Sequence, residues 1–106
     1  MSENKSYTVK IHKRVYAKIG EIADYIEKVS NKSHALKYTD DLGKEILSLS
    51  DPMIANAMQP SQWQSAKKYH PQAKRLITKN RKWNIIFRVG RKNVYIYDII
   101  PSSLMK

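Results

Sequence analysis

Hydrophobic residues in the first half of the chain are spaced as in one strand followed by two helices. Over residues 7–13 apolar and polar side chains alternate, and a period of two is typical of a half-buried strand. Apolar residues then recur at steps of three and four, which predicts a helix with one apolar face: Val15, Ile19, Ile22, Ile26 and Val29. After a polar connection at 30–33, the same steps predict a second helix from about His34 to a point before Asp51. Because this connection is short, we expect the two helices to pack antiparallel as an αα-hairpin.

The period of two returns in the second half of the chain and predicts three consecutive strands. A short strand at 75–78 precedes an alternating run at 83–89, and a β-rich run at 94–100 follows the turn Gly90–Asn93. Neighbouring strands with such short connections are expected to form an antiparallel meander. We expect the helices to pack on one apolar face of this sheet, formed by Val9, Ile11, Trp83, Ile85, Phe87 and Val89.

The segment between Asp51 and Pro71 has no sustained period and contains three prolines. We expect a long connection there with one helical turn around 54–58, and the pattern leaves open whether the rest is ordered. The residues after Ile100 are too few for another element. The predicted fold is a single α+β domain over 1–106 in the order β-α-α-β-β-β, with an antiparallel sheet and the αα-hairpin on one face.

Composition limits the classes of protein to consider. A chain of 106 residues that is 42% hydrophobic and 27% charged fits one folded domain. The absence of cysteine excludes disulfides, thiolate metal sites and a cysteine nucleophile. No apolar run is long enough to cross a bilayer, and the first residues, MSENKSYT, lack the apolar segment of a signal peptide. We therefore expect a cytoplasmic protein that does not enter membranes.

Positive charge is concentrated in the second half of the chain. Residues 1–51 contain nine Lys and Arg against eight Asp and Glu, whereas residues 52–106 contain eleven against one. No acidic residue occurs between Pro52 and Tyr97. Such asymmetry favours a polyanionic partner, either nucleic acid or an acidic protein segment. A basic surface that serves only solubility would have the same composition.

The basic residues of this half are interleaved with aromatic residues, a mixture that suits RNA or single-stranded nucleic acid. Cationic groups neutralise phosphates, and aromatic rings stack on unpaired bases. We predict contacts with nucleic acid or an acidic partner for Arg75, Lys79, Arg81, Lys82, Arg88, Arg91 and Lys92. The alternative is that Trp83 is a core residue and that the tyrosines and lysines are ordinary strand and turn residues.

The sequence gives little support for a metal site or a nucleotide-binding site. The three histidines lie far apart and have no carboxylate neighbours at metal-ligand spacing. There is no glycine-rich phosphate loop. We expect neither a metal nor a cofactor.

The element order, the size and the strand sequence resemble the RelE/ParE superfamily of type II toxin–antitoxin toxins, known also as plasmid stabilisation proteins. The middle strand of the meander in that superfamily often reads Tyr-Arg-aliphatic-aliphatic-Tyr-x-Val, and residues 83–89 read WNIIFRV here. The resemblance implies a growth-inhibiting toxin that is neutralised by a cognate, usually acidic, antitoxin. It also implies one of two targets. Ribosome-dependent members cleave mRNA without a metal, whereas ParE-like members act on DNA gyrase.

Two positions depart from the nuclease pattern of the superfamily. Asn84 stands where an arginine often follows the first aromatic residue, and Asp98 lies near the end of the last strand, where arginine or histidine is frequent. Neither side chain can neutralise a phosphate. The remaining candidates for catalysis are His70, Arg88 and Tyr97, so the sequence leaves open whether the protein is a metal-independent endoribonuclease. The alternative function is a non-toxic module of the same fold that binds nucleic acid or an acidic peptide.

Overall fold

The computed structural model describes residues 6–106, which form four helices and one four-stranded sheet. Residues 1–5 lie outside the described residues. They belong to the predicted domain and to the N-terminal segment MSENKSYT. The elements are β1 (Thr8–Ile11), α1 (Lys13–Val29), α2 (Lys32–Leu47), α3 (Pro52–Ala55), α4 (Gln64–Lys67), β2 (Lys74–Ile77), β3 (Trp83–Val89) and β4 (Asn93–Pro101). Short 3-10 helices occupy Ser48–Ser50 and Ser102–Leu104. The predicted α+β class is confirmed.

The sheet has the strand order β1-β4-β3-β2. The pairs β2–β3 and β3–β4 are antiparallel, as the predicted meander requires. The prediction of a wholly antiparallel sheet is wrong for β1, which pairs in parallel with β4. Hydrophobic alternation shows which residues share a face, but it carries no information about the direction of a strand whose partner lies at the other end of the chain.

The αα-hairpin of α1 and α2 covers one face of the sheet, as predicted. Its core cluster consists of Val15, Leu42, Ile46, Leu49, Ala55, Ile85, Phe87, Val94, Ile96 and Ile99. Along α1 the packed positions reach only to Ile22, so Val29 in the last turn is 63% exposed and not buried as predicted. Trp83 packs at the rim of this core, where its indole Nε1 donates a 2.8 Å hydrogen bond to the hydroxyl of Tyr38.

The connection between the helices and β2 contributes to both faces of the sheet, because Ala55 of α3 belongs to the core under the hairpin and α4 lies on the other face. A helical turn occurs close to the predicted position, in α3, where the carboxylate of Asp51 accepts a 2.9 Å hydrogen bond from the backbone nitrogen of Met53. The second short helix, α4, was not indicated by any periodicity. Its Ala66 joins a smaller apolar cluster on this face, together with Ala73, Ile86, Ile100, Tyr69, Tyr97 and Met105.

Strand β3 is consequently buried on both faces. Asn84, Ile85, Ile86 and Phe87 are all fully buried, so the predicted single buried face is wrong for the centre of this strand. The alternation of side chains is real, but α4 and the residues after β4 cover the face that was expected to be open.

A β-bulge interrupts the pairing of β3 and β4. Ile86 pairs with Asp98 and Phe87 pairs with Ile96, so Tyr97 has no partner on β3. On the other side of β4, the parallel strand β1 ends opposite Ile96. Beyond that point α1 supplies the missing donors. Arg14 Nη1 donates to the Tyr97 carbonyl at 2.8 Å, and Lys18 Nζ donates to the Ile99 carbonyl at 3.2 Å.

Helices long and apolar enough to span a bilayer do not occur within residues 6–106.

Candidate functional site

The sheet face opposite the αα-hairpin brings together aromatic and basic side chains from three strands and the connection. Arg75 is paired with Ile86, and Arg88 is paired with Tyr95, which places these side chains on the face of the smaller apolar cluster. We call this surface the basic face, defined by Trp63, Tyr69, Arg75, Arg88, Tyr95 and Tyr97. Alternation in the sequence does not by itself show that Arg88 and Tyr97 lie close together. That follows only from the pairing of β3 with β4.

Two of the predicted site residues, Arg88 and Tyr97, are in direct contact. Arg88 Nε donates a 2.9 Å hydrogen bond to the Tyr97 hydroxyl. The guanidinium also lies 4.6 Å from the centroid of the Tyr95 ring, within cation–π range. Arg88 forms no ion pair within residues 6–106. Its terminal nitrogens and the hydroxyl proton of Tyr97 are therefore suited to donate to one anionic ligand.

Tyr69 packs against the ring of Tyr97, and Asp98 in turn fixes Tyr69 by a hydrogen bond. The rings of Tyr69 and Tyr97 stack with centroids 5.6 Å apart and an interplanar angle of 7°. The Tyr69 hydroxyl donates a 2.6 Å hydrogen bond to Asp98 Oδ2, and Lys18 Nζ lies 2.7 Å from Asp98 Oδ1. Burial, followed by this contact with Asp98, raises the pKa of Tyr69 to about 12. Tyr69 thus stays protonated at neutral pH and cannot act as a general base.

Asp98 is a structural residue in this arrangement. It is 4% exposed, and it also accepts a 2.8 Å hydrogen bond from the backbone nitrogen of Ile99. All of its neighbours are donors, so the carboxylate does not face an incoming phosphate. Because Asp98 points into the protein, its carboxylate does not repel a phosphate at the basic face, and it supplies no cation there either.

Asn84 is likewise buried, with no exposed surface. Its Nδ2 donates to the Ile100 carbonyl at 3.2 Å and to the Ser102 hydroxyl at 3.1 Å. Its Oδ1 accepts a 3.1 Å hydrogen bond from Arg75 Nη1. Asn84 therefore orients an arginine and does not touch ligand itself.

Residues outside the predicted set also contribute to this surface, among them Arg14 and Trp63. The guanidinium of Arg14 is 5.0 Å from the Tyr69 ring centroid, and that of Arg75 is 5.1 Å from the Trp63 ring. Lys68 Nζ also lies over Tyr69, at 5.2 Å. Arg14 belongs to a helix whose pattern indicates only a buried and a polar face, and Trp63 belongs to a segment without periodicity. No signal within the sequence connects either residue to the last strands.

The other predicted basic residues lie at the two ends of the sheet. Lys79, Arg81 and Lys82 are exposed in the turn between β2 and β3, and Arg91 and Lys92 are exposed in the turn between β3 and β4. The seven residues of β3 separate the two turns, a distance of about 23 Å. The structure thus distributes these residues along the sheet and does not bring them to one point. Their contact with a ligand stays a prediction.

His70 is held in the turn that precedes β2. Its Nδ1 accepts a 3.0 Å hydrogen bond from the backbone nitrogen of Gln72, and its carbonyl accepts one from Ala73. No hydrogen bond within residues 6–106 joins it to Arg88 or Tyr97. The three predicted catalytic candidates therefore do not form one constellation. Among the described residues there is also no group of three or more His, Cys, Asp or Glu that could hold a metal ion.

Comparison with known proteins identifies the fold. No family model matches the sequence, and no curated protein matches it. Among solved structures, a chain of the "Chromosomal ParDE TA system from P. aeruginosa" superposes with a TM-score of 0.74 at 21% sequence identity. The match covers 92% of this chain and 97% of that chain. The resemblance inferred from the strand sequence is confirmed for the fold, which is that of ParE/RelE-type toxins.

Proposed function

We propose that this protein is the toxin of a type II toxin–antitoxin module. The observation that carries the proposal is the shared fold, which extends over nearly the whole length of both this chain and a chain of a ParDE toxin–antitoxin system. The concentration of positive charge in residues 52–106 is a second support, since an acidic antitoxin would be attracted to it. The protein would then be active in the cytoplasm, where both proposed targets occur.

We further propose that the toxin acts by binding its target and not by cutting RNA. Asn84 and Asp98 occupy the two positions that carry cationic residues in the nuclease pattern, and both are buried and fully engaged in hydrogen bonds. Tyr69 is held protonated by its high pKa. Metal-independent cleavage of RNA needs a general base near the attacking hydroxyl, and no such group lies beside Arg88 and Tyr97 in the described contacts. Of the two targets that the resemblance implies, DNA gyrase is therefore the better supported.

A groove between α2 and β2, on the side of β2 away from the basic face, supports the proposal of a protein partner. It has a volume of about 660 Å³ and runs between α2 and β2, the strand at the free edge of the sheet. Leu42, Ile54 and Leu76 supply its apolar lining, and two cations, Lys44 and Lys79, and two carboxylates, Asp41 and Glu45, also line it. We propose that an amphipathic segment of the antitoxin with apolar anchors binds in this groove.

Induced expression tests the proposed function. The wild-type chain is expected to arrest bacterial growth, with induction of the DNA-damage response and with intact mRNA. Co-expression of the reading frame beside it, where that encodes a small acidic protein, is expected to restore growth. Arrest with mRNA cut at ribosomes would favour the nuclease branch and contradict the binding mechanism. Unaffected growth in several hosts would contradict the toxin proposal altogether.

A non-toxic binding module of the same fold is the second candidate. It is favoured by the cations of the basic face, because Arg75 and Arg88 form no ion pair within residues 6–106 and still present free donors. Normal growth on expression, combined with retention of the purified protein on an anionic matrix, would support this function in place of the toxin.

A further inference from the structure

Large apolar side chains are exposed on the outer surface of the αα-hairpin, away from the core. Leu36 and Leu47 of α2 are 61% and 56% exposed, and Tyr16 of α1 is 61% exposed. Single exposed apolar residues are ordinary on a protein surface, so the relative positions of these three decide whether they form one patch.

The two leucines lie on the flank of α2 that faces α1. Asp41 and Glu45 lie on the other flank, where they line the groove between α2 and β2. An α-helix turns by about 100° per residue, so Leu36, Gly43 and Leu47 lie on the side of α2 opposite to those two carboxylates.

Tyr16 lies on the corresponding flank of α1. Arg14 and Lys18 extend from one side of α1 to carbonyls of β4. By the same geometry Tyr16 and Gly20 lie on the opposite side, which faces α2 and the other edge of the sheet. Because the three apolar side chains stay more than half exposed, they border the outer side of the contact between the helices. We call this surface the hairpin seam, defined by Tyr16, Gly20, Leu36, Gly43 and Leu47.

The two glycines of the hairpin seam are not explained by the packing of a single chain. Neither Gly20 nor Gly43 has a positive φ, and a Cβ at either position would meet no atom within 4 Å outside the adjacent backbone of its own helix. A glycine inside a helix is destabilising relative to alanine, so both positions carry a cost that the monomer does not require. Close approach of a second helix is a physical reason for them.

The spacing along α2 fits a second copy of the same helix. Leu36, Asp40, Gly43 and Leu47 follow one another at steps of four, three and four residues, so the order of steps is the same in both directions. When a second α2 crosses antiparallel, with a two-fold axis between Asp40 and Gly43, Leu36 of each copy meets Leu47 of the other. Asp40 also lies near this axis, but it is paired with Lys44 at 3.3 Å and brings no net charge there.

Charge favours a second copy over a polyanionic or acidic partner at this seam. The two helices contain seven Lys and Arg against six Asp and Glu, whereas residues 52–106 contain eleven against one. Two chains with a net charge of +11 repel each other over most of their surface, and the nearly neutral hairpin is where they can approach. An acidic partner is instead attracted to the basic half of the chain.

We propose that two copies of this protein associate through their hairpin seams as a two-fold symmetric dimer. Each copy contributes three large exposed apolar side chains, far fewer residues than a standard stable interface, so the association is weak and depends on concentration. The dimer does not use the basic face, and the proposal holds whether or not the protein arrests growth.

Sedimentation velocity of the full-length chain, made in a cell-free system, tests the proposal. In about 0.5 M NaCl, which screens the net charge, the average mass is expected to rise with protein concentration toward twice that of one chain. Leu36→Glu places a carboxylate in the contact twice and is expected to weaken association by at least about tenfold. Val29→Glu is the matched control, because Val29 is 63% exposed but lies on the flank of α1 that carries Lys18.

A pair of opposite charges tests the two-fold arrangement itself. Leu36→Glu and Leu47→Lys are each expected to weaken the dimer, and the double variant is expected to recover much of the loss, because the introduced glutamate of each copy meets the introduced lysine of the other. Within one chain the two positions are about 16 Å apart along α2, too far to pair. Gly43→Ala is expected to raise the unfolding temperature of the dilute protein and to weaken the dimer, a combination that a structural role within one chain does not produce.

A mass that stays constant up to about 1 mM protein would overturn the proposal. Equal effects of Leu36→Glu and Val29→Glu would also overturn it, as would a double variant that recovers nothing. Association that weakens as salt rises would show that a polyanion bridges the copies and that the apolar seam does not join them. If the wild type stays monomeric and Leu36→Glu instead weakens binding of an antitoxin, the seam belongs to that partner and not to a second copy.

Discussion

Tyr69 donates a 2.6 Å hydrogen bond to Asp98, and through this contact the connecting segment is tied to the last strand. Asp98 is 4% exposed and receives Lys18 on its other oxygen, so one buried carboxylate joins α1, β4 and the turn after α4. Because Tyr69 also stacks on Tyr97, the same contact sets the position of the ring that holds Arg88.

Removal of the Tyr69 hydroxyl is expected to destabilise the protein without removing the stacked ring. Tyr69→Phe leaves Asp98 Oδ2 without its donor, and we expect the free energy of unfolding to fall by about 1–3 kcal/mol. Urea denaturation followed by circular dichroism measures the change. Tyr25→Phe is the control, because this side chain is 65% exposed and its hydroxyl group can bond to water. Equal effects of the two substitutions would show that the Tyr69–Asp98 bond adds nothing to stability.

The raised pKa of Tyr69 predicts a specific loss of stability at high pH. An unfolded tyrosine titrates near 10, whereas Tyr69 in the folded state titrates near 12, so within this range the folded state binds more protons. The stabilisation is complete below pH 10 and is lost as the pH rises toward 12. Urea midpoints of wild type and Tyr69→Phe are therefore expected to converge between pH 10 and pH 12. The difference between the two proteins cancels the titration of other groups, and a constant difference would contradict the prediction.

Asn84→Arg introduces the residue type of the nuclease pattern but is expected to destabilise the fold, not to create a nuclease. The Asn84 site is fully buried and already filled by its contacts with Ile100, Ser102 and Arg75. A second guanidinium there would be an uncompensated buried charge beside Arg75, at a cost of at least about 3 kcal/mol. Thermal unfolding measures the loss, with the exposed Lys82→Arg as the control. A stable variant that cleaves RNA would contradict both the structural role of Asn84 and the binding mechanism.

Arg88→Ala is expected to weaken anion binding or toxicity while the fold is retained. The substitution removes one hydrogen bond to Tyr97 and one cation–π contact, so we expect a stability loss of about 1 kcal/mol. If Arg88 contacts one phosphate, the slope of log affinity for single strands against log salt falls by about 0.7. Salt titrations with oligo(dT) measure this slope. Lys28→Ala should leave it unchanged, and an unchanged slope for Arg88→Ala would remove Arg88 from the site.

The faces of the elements were predictable from the sequence, whereas the contacts between distant segments were not. Alternation correctly placed Ile85 and Phe87 against the helices, because the period of two fixes which side chains share a face. It could not show that Ile86 is also buried, since the residues that cover it come from α4 and from the end of the chain. The parallel direction of β1 depends on its pairing with β4 at the other end of the chain, which no local pattern records.

The candidate site was predictable only in part for the same reason. Arg75, Arg88 and Tyr97 could be proposed from charge and residue type. The roles of Asn84 and Asp98 depend on partners many positions away, such as Ser102 and Lys18. Their residue types alone indicate only that the cations of the nuclease pattern are absent. In the structure they are the buried groups that hold the exposed ones.

The side chains that close the free edge of β4 also bear on how the folded chain behaves at high concentration. Beyond the end of β1, the Tyr97 and Ile99 carbonyls accept from Arg14 and Lys18, so these acceptors cannot pair with a strand from another molecule. Lys18 is paired with Asp98, but Arg14 forms no ion pair within residues 6–106 and leaves a positive charge at this edge, where like charges repel a second copy that approaches. The helix that packs the core therefore also protects the longest strand of the sheet from intermolecular β-pairing, the first step of aggregation.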